Sequence, residues 1–169
     1  MTTAVASFFL DSALAIGLGA NLSSSYGPPE ITLRRIAPLL ADLLVRWGDA
    51  SARDVRCSSF LTTQPIGGPP DQGFYCNAVL LLSRVQRPPS ELAALELMEQ
   101  LQRFEENCGR DRSTEQRWGP RPLDLDLLFW GELRLEHSRL TLPHPRMHLR
   151  RFVLEPLLQA MQGTHPPCW

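Results

Sequence analysis

The sequence predicts an α+β fold: a ferredoxin-like βαββαβ core with an added C-terminal hairpin and helix. The prediction depends on the order of segments with strand-like and helix-like hydrophobic spacing, which is strand, helix, strand, strand, helix, strand. The 169 residues also show no repeat, no low-complexity segment and no linker. We therefore expect a single domain over residues 1–169, in which residues 1–12 form an N-terminal extension.

Local signals justify each element in chain order. The first helix follows Pro28 and Pro29 and has apolar residues at helical spacing, although Pro38 predicts a kink or a shorter helix. Ser90 is predicted to cap the start of the second helix, and Gly109 to follow its end. The predicted strands are 13–20, 54–63, 74–85, 123–130 and a short returning strand at 133–135; the predicted helices are 30–47, 91–107 and 150–161. Between them, residues 64–73 form a Pro/Gly-rich loop whose length suggests a function.

Composition and charge exclude several classes of function. The net charge is −1, so no global field attracts nucleic acid or a membrane surface. All 17 basic residues are arginine, which excludes a Walker-type phosphate lysine and Schiff-base chemistry. Any phosphate site must therefore use arginine, backbone N–H groups or a metal ion.

The cysteines and the N-terminus predict the compartment. Four widely spaced cysteines without a Cys-x-x-Cys pair predict thiols in a reducing cytosol: Cys57, Cys76, Cys108 and Cys168. The apolar run at residues 4–10 is interrupted by Asp11 and has no basic region before it, so we expect no secretory signal. We therefore expect a cytoplasmic protein that binds neither nucleic acid nor membranes, and we expect it to be a monomer.

The stretch at residues 117–130 carries the strongest chemical signal. Because side chains alternate along a strand, Leu123, Leu125 and Leu127 face a core while Asp124 and Asp126 share the opposite face. Two adjacent carboxylates suit Mg²⁺, which binds one or two carboxylates together with water and substrate phosphates. The residues just upstream add four guanidinium groups, which bind phosphate bidentately: Arg110, Arg112, Arg117 and Arg121. Alone, an Asp-x-Asp pair would be read as an exposed edge strand, but the preceding arginines and the Trp-Gly-Pro-Arg run favour a metal-bound polyphosphate site.

The run Arg-Trp-Gly-Pro-Arg-x-Leu-Asp-Leu-Asp at residues 117–126 resembles the signature of the 6-hydroxymethyl-7,8-dihydropterin pyrophosphokinases of folate biosynthesis. The resemblance extends from about Ile16 to Leu157. It implies an ATP-dependent diphosphokinase that transfers pyrophosphate from ATP to 6-hydroxymethyl-7,8-dihydropterin and releases AMP. It also implies two Mg²⁺ ions held by Asp124 and Asp126, with residues 109–118 as a mobile lid.

The resemblance also implies which residues form each part of the site. The catalytic residues would be Arg110, Arg121, Asp124 and Asp126; the ATP-binding residues Gln102, Glu105, Arg112, Arg117, Trp118, His144 and Arg150; and the pterin-binding residues Thr63, Gln64, Ile66, Tyr75, Asn77 and Phe152. An amide such as Asn77 can donate to and accept from an aminopyrimidinone edge, and two aromatic rings can stack on a flat heterocycle.

Four alternatives remain open from the sequence. Tyr75 and Phe152 are equally consistent with ordinary core packing, and His144 with a surface position in a rigid loop. A protein with the same residues could bind pterin or nucleotide without catalysis. A nucleic-acid-binding module of ferredoxin-like fold is disfavoured by the charge balance and by the acidic pair.

Overall fold

The computed structural model describes residues 11–163, which form a five-stranded antiparallel sheet, a two-stranded hairpin and three helices. In chain order the elements are β1 (Leu14–Ala20), α1 (Pro29–Trp47), β2 (Val55–Cys57), β3 (Leu61–Thr63), β4 (Tyr75–Leu82), α2 (Glu91–Asn107), β5 (Asp124–Trp130), β6 (Leu135–His137), β7 (Leu140–Leu142) and α3 (Arg151–Gln162). Most of the predicted N-terminal extension and the tail after Gly163 lie outside these residues.

The main sheet has the strand order β2-β4-β1-β5, and β3 extends β2 along the same edge of β4. The two central strands are apolar almost throughout and are buried on both faces. Gly19 of β1 pairs with Asn77 of β4 on one side and with Asp124 of β5 on the other. Gly17 pairs with Asp126 in the same way. The register therefore sets the two aspartates and the asparagine around two positions that have no side chain.

The helices cover the two faces of the sheet unequally. One core cluster contains α1 and α2, whose leucines pack against the sheet through residues such as Ile16 and Leu80. A smaller cluster contains α3, where Val153 and Leu157 pack against residues such as Leu81. Since α3 covers only part of its face, the rest of that face is available for a site.

The predicted alternation along β5 is confirmed. The leucines of the motif, Leu123, Leu125 and Leu127, belong to the cluster beneath α1 and α2. Asp124 and Asp126 line a cavity on the α3 face. Leu128 follows on the same face, in the α3 cluster, and a change of register between Ala15 and Ile16 then turns Phe129 toward that cluster and Trp130 into the core of α1 and α2.

The predicted strand at 54–63 is wrong in its continuity. It is divided into β2 and β3, because three residues between Cys57 and Leu61 face two residues of β4. Buried Ser58 stabilises the interruption: its hydroxyl accepts a hydrogen bond from the backbone N–H of Val79 (2.9 Å) and donates one to the carbonyl of Ser59 (2.9 Å). The chain thereby turns toward the loop at 64–73.

The returning strand predicted at 133–135 is also wrong. The strand begins at Leu135 and pairs with β7 rather than with β5. Its position follows from burial, because the partners Leu135 and Leu142 are both buried in the core of α1 and α2. The remaining elements agree with the prediction within a few residues, and α1 continues through Pro38 without being shortened.

The caps of α2 agree with the prediction. The Ser90 side chain accepts a hydrogen bond from the N–H of Ala93 (3.2 Å), and Gly109 has a φ of +93° just beyond the helix. Within the described range, no helix is long and apolar enough to cross a membrane.

The cysteines agree with the prediction only in part. Cys76 and Cys108 are free and buried, and burial raises the pKa of each thiol to about 11. Cys57 is disulfide-bonded, so the predicted thiol is wrong at that position. Cys168 lies outside the described residues.

Two leucines of α2 provide a test of the core. Leu97 is 0% exposed and Leu92 is 78% exposed. We expect Leu97→Ala to lower the free energy of unfolding by about 2–5 kcal/mol, because it removes buried apolar atoms and leaves a cavity. Leu92→Ala should change it by less than about 0.5 kcal/mol. Urea denaturation of both variants measures the difference, and equal losses would contradict the packing of α2 described here.

Candidate active site

A cavity of about 380 Å³ opens on the α3 face of the sheet. The residues that line it include all six predicted pterin-binding residues, Thr63, Gln64, Ile66, Tyr75, Asn77 and Phe152, together with Trp118, Arg121, Asp124, Asp126 and Arg150. Gly17 and Gly19 form part of its floor, and a Cβ atom at Gly19 would lie 3.3 Å from Asn77 Oδ1. The fold therefore brings together residues from five separate segments of the chain.

A second cavity of about 320 Å³ lies between α2 and the β6-β7 hairpin. Three of the predicted ATP-binding residues line it: Gln102, Arg112 and His144. Asp126 lines this cavity as well as the first one. The two cavities therefore meet at the second carboxylate of the Asp-x-Asp pair.

Arg110 is buried at the centre of an ionic network. One of its terminal nitrogens, Nη1, donates to Glu105 Oε1 (2.7 Å) and to Asp124 Oδ1 (2.6 Å), and the other, Nη2, donates to Glu115 Oε1 (3.0 Å). Burial alone would lower the pKa of Arg110, but the charges of Asp124 and Glu105 raise it above its usual value. In this structure the guanidinium group of Arg110 is fully used by protein carboxylates and lines neither of the two cavities.

Glu105 joins α2 to this ionic network. Its side chain is 1% exposed, and Oε1 accepts a hydrogen bond from the N–H of Leu125 in β5 (2.8 Å). Its other oxygen contacts the guanidinium group of Arg112. Burial raises the pKa of Glu105, while Arg110 and the Leu125 N–H act in the opposite direction. Glu105 thus holds two arginines and the edge strand in place.

Arg121 is held by the same carboxylates but faces the first cavity. Its Nη1 lies 3.1 Å from Asp124 Oδ2, and its Nε lies 3.2 Å from Glu115 Oε1. Both arginines contact Asp124, but Arg121 also lines the first cavity and Arg110 does not.

The two aspartates differ in their electrostatic surroundings. Burial would raise the pKa of Asp124, but the adjacent Arg121 and Arg110 hold it below its usual value. Burial, together with the charge of Asp124, raises the pKa of Asp126 to about 7. The guanidinium group of Arg150 lies beyond hydrogen-bond distance of Asp126, with Nη1 3.7 Å from Oδ2, and His144 Nε2 lies 3.8 Å from the same oxygen. A divalent cation would supply the positive charge that balances the Asp126 carboxylate, so the pair of Asp124 and Asp126 fits a hard metal ion.

His144 is fixed at the start of the loop that follows the hairpin. Its backbone N–H donates to the carbonyl of Leu128 (2.7 Å), and its Nδ1 accepts from the N–H of Arg146 (3.2 Å). This arrangement leaves Nε2 directed toward Asp126. Burial and the charge of Arg150 lower the pKa of His144, so the imidazole is neutral near pH 7.

The amide and aromatic groups of the first cavity are positioned by neighbouring strands. Asn77 is 4% exposed, and its Nδ2 donates to Thr63 Oγ1 (2.8 Å). The hydroxyl of Tyr75 donates to the carbonyl of Gly119 (3.3 Å), and burial raises the pKa of that hydroxyl. Phe152 lies beneath the guanidinium group of Arg150, 5.6 Å from ring centroid to carbon. The alternative that Tyr75 and Phe152 serve only the core is not favoured, because both line the cavity.

Trp118 projects into the first cavity from the arginine loop, which we define as residues 109–121. It is 46% exposed and has a φ of +58°, an unusual value for a residue with a side chain. The guanidinium groups of Arg117 and Arg146 lie over its ring, at 4.7 Å and 5.7 Å from the centroid. Arg117, which the resemblance assigns to ATP binding, lines neither cavity and stacks on this ring.

Three polar residues of the site were not predicted as site residues from the sequence. Glu115 binds both Arg110 and Arg121. Asn21 and Gln72 join the arginine loop to the loop at 64–73. The available signals were a lone glutamate among arginines, an asparagine at the end of a buried strand, and a glutamine within a loop already expected to have a function.

Comparisons with known proteins agree with the resemblance seen in the sequence. The family model of 7,8-dihydro-6-hydroxymethylpterin-pyrophosphokinase matches residues 15–162. The chain is similar to the 2-amino-4-hydroxy-6-hydroxymethyldihydropteridine pyrophosphokinase of Haemophilus influenzae, with 38% identity over 144 residues that cover 85% of this chain and 78% of that protein. Enzymes of the same name from Synechocystis sp. and Bacillus subtilis are 38% and 35% identical, over 85% and 87% of this chain and 64% and 77% of their own lengths. The chain therefore belongs to the 7,8-dihydro-6-hydroxymethylpterin-pyrophosphokinase family.

Proposed function

We propose that this chain transfers pyrophosphate from ATP to 6-hydroxymethyl-7,8-dihydropterin and releases AMP, and that the two cavities bind the two substrates. The observation that carries the proposal is the position of Asp126, which lines both cavities. A phosphate chain that extends from one cavity would meet an acceptor in the other at this carboxylate. The names of the relatives, which are pyrophosphokinases of this pterin, support the same reaction.

The first cavity suits a pterin in size and chemistry. Pockets for small ligands are mostly apolar, with few polar groups that fix orientation. Here Asn77 and Thr63 provide an amide and a hydroxyl at one end, while Tyr75 and Phe152 provide aromatic faces. A bicyclic ring stacked between such faces would place its hydroxymethyl group toward Asp124 and Asp126.

The second cavity suits the nucleotide. Gln102 supplies an amide from α2, and Arg112 and His144 supply a cation and an imidazole on the way to Asp126. The side chain of Arg112 is 45% exposed, which leaves it accessible to a phosphate oxygen. Arg150, which lies between Asp126 and Phe152, is accessible from the first cavity.

Asp124 and Asp126 would hold Mg²⁺, and we propose two ions, as the family resemblance implies. Bound Mg²⁺ supplies charge neutralisation along the phosphate chain and orients it for in-line attack. Within the described residues no group of three or more His, Cys, Asp or Glu side chains could hold a metal ion. The remaining ligands would then be substrate phosphates and water.

Arg121 and Arg110 have different roles in the proposed reaction. Arg121 faces the cavity and is the residue that we assign to the transferring phosphates. Arg110, which the sequence predicted to be catalytic, would act in this conformation by fixing Asp124. Residues 109–118 remain our proposed lid, and Glu105 would anchor that lid rather than contact ATP.

We also propose that the core of the fold is ferredoxin-like. The antiparallel order β2-β4-β1-β5 supports a ferredoxin-like core. A single domain, a monomeric state and a cytoplasmic location remain predictions.

Nucleotide products provide the direct test of the reaction. With ATP, Mg²⁺ and 6-hydroxymethyl-7,8-dihydropterin, we expect AMP and the pterin diphosphate in equal amounts, resolved by ion-exchange chromatography. ATP without the pterin should give no AMP. Formation of ADP would contradict attack at the β-phosphorus, and pterin binding without cleavage would instead indicate a non-catalytic binding protein.

Asp126 provides the test of the metal assignment. We expect Asp126→Asn to lower the rate of AMP formation by about 100-fold or more, because several kcal/mol of metal-dependent stabilisation would be lost. Asp42→Asn, an exposed position on α1, serves as the matched control and should retain the wild-type rate. A variant at Asp126 that is folded and fully active would contradict the assignment.

Glu105 provides the test of its anchoring role. We expect Glu105→Gln to lower the free energy of unfolding by about 3 kcal/mol, because Arg110 would lose one of its buried partners. Glu99 lies on the same helix as Glu105 and forms an exposed ion pair with Arg139 of the β6-β7 turn, so Glu99→Gln should cost less than about 1 kcal/mol. Urea denaturation measures both losses. Unchanged stability together with a raised KM for ATP would favour a direct contact of Glu105 with the nucleotide.

A further inference from the structure

The pterin-side loop, residues 64–73, touches the arginine loop closely at one point. Gly68 has a φ of +85°, and a Cβ atom there would lie 2.2 Å from the carbonyl oxygen of Trp118 and 2.5 Å from Gln72 Nε2. A Cβ atom at Gly67 would lie 3.4 Å from the Trp118 ring. Only glycine permits this approach, so the close contact between the two loops requires a glycine at position 68.

Gln72 forms the hydrogen bonds at this contact. Its Nε2, which carries two hydrogens, lies within hydrogen-bond distance of three carbonyl oxygens: that of Trp118 (3.1 Å) and those of Gly67 and Pro69 within its own loop (both 3.2 Å). Trp118 has a positive φ that costs about 1–3 kcal/mol for a residue with a side chain. The hydrogen bond from Gln72 to its carbonyl is one of the contacts that stabilise this conformation.

Asn21 continues the connection to Arg121. Its Nδ2 donates to Gln72 Oε1 and to the carbonyl of Gly73 (both 3.3 Å). Its Oδ1 accepts from the backbone N–H of Arg121 (2.8 Å), and its own backbone N–H donates to the Arg121 carbonyl (3.0 Å). Asn21 is 6% exposed, so these groups are removed from competing water. Asn21 thereby holds both the backbone N–H and the backbone carbonyl of Arg121.

We propose that Gln72 and Asn21 form a relay that couples the pterin-side loop to the position of Arg121. The inference rests on the proposed function, in which this loop borders the pterin and Arg121 contacts the transferring phosphates. Both relay residues are positioning residues, since they would act through Trp118 and Arg121. Loading of the pterin cavity then favours the placement of Arg121 that transfer requires.

A double-mutant cycle separates coupling from a merely structural role. We expect Gln72→Met, which keeps the length of the side chain without its amide, to lower kcat/KM for the pterin by about 10-fold while KM for ATP stays unchanged. In an Arg121→Ala background the same substitution should lower it by less than about 3-fold, because the coupled group is already lost. If kcat/KM of the double variant falls by the product of the two single-variant factors, the two residues act independently and the proposal is overturned.

Gln64→Met is the matched control for the cycle. Gln64 lines the cavity from the start of the same loop. In the double variant with Arg121→Ala, the loss of kcat/KM should equal the product of the two single-variant losses, because the two residues act independently. A cycle at Gln64 that resembles the one at Gln72 would mean that any change in this loop acts on Arg121, and would also overturn the assignment to Gln72.

Amide hydrogen exchange tests the relay without any turnover. In Gln72→Met we expect the Arg121 amide, which donates to Asn21 Oδ1, to exchange about 10-fold faster than in the wild type. The Gly131 amide, which donates to the carbonyl of Ala13 (2.7 Å), should be unaffected. Unchanged exchange at Arg121 would overturn the relay even in an active enzyme. A wild-type protein that forms no AMP would overturn the proposed function, while the exchange comparison still decides the relay.

Discussion

The buried guanidinium group of Arg110 is the interaction on which the site depends. It joins a helix through Glu105, a loop through Glu115 and an edge strand through Asp124. A charge at 7% exposure is tolerated only when it is paired and hydrogen-bonded, so these three elements must meet in one arrangement. The network thereby fixes Asp124 before any metal or substrate is present.

The open floor of the site is a second constraint, and it comes from β1. The two positions that pair with Asp126 and Asp124 are Gly17 and Gly19, which leave the α3 face of the sheet without side chains at its centre. Glycine in a strand interior lowers stability, because it has no side chain to pack. Here β1 and its neighbour β4 are buried almost throughout, so the sheet tolerates this cost while the cavity keeps its depth.

Much of this arrangement was predictable from the sequence, because its signals are local. Alternation along β5 is visible as Leu-Asp-Leu-Asp, and the cap of α2 as Ser90 after two prolines. The errors occur where a tertiary contact overrides the local pattern: Ser58 bonds to β4 and interrupts a strand, and burial of Leu135 shifts the hairpin. The family signature identified the cavity residues, but it did not show that Arg110 would be saturated by carboxylates.

The loop contacts were beyond sequence reasoning, because they join distant residues. Asn21 and Gln72 are 51 residues apart, and Gln72 and Trp118 are 46 apart, so neither pair leaves a periodic trace in the sequence. Their geometry explains how the arginines are held before the substrates bind. Glu115 neutralises Arg121 while Asn21 fixes its backbone. In the proposed function, an arriving phosphate chain would exchange one anion for another at Arg121. Electrostatic catalysis depends on such preorganised charge, because groups already in place need little reorganisation during the reaction.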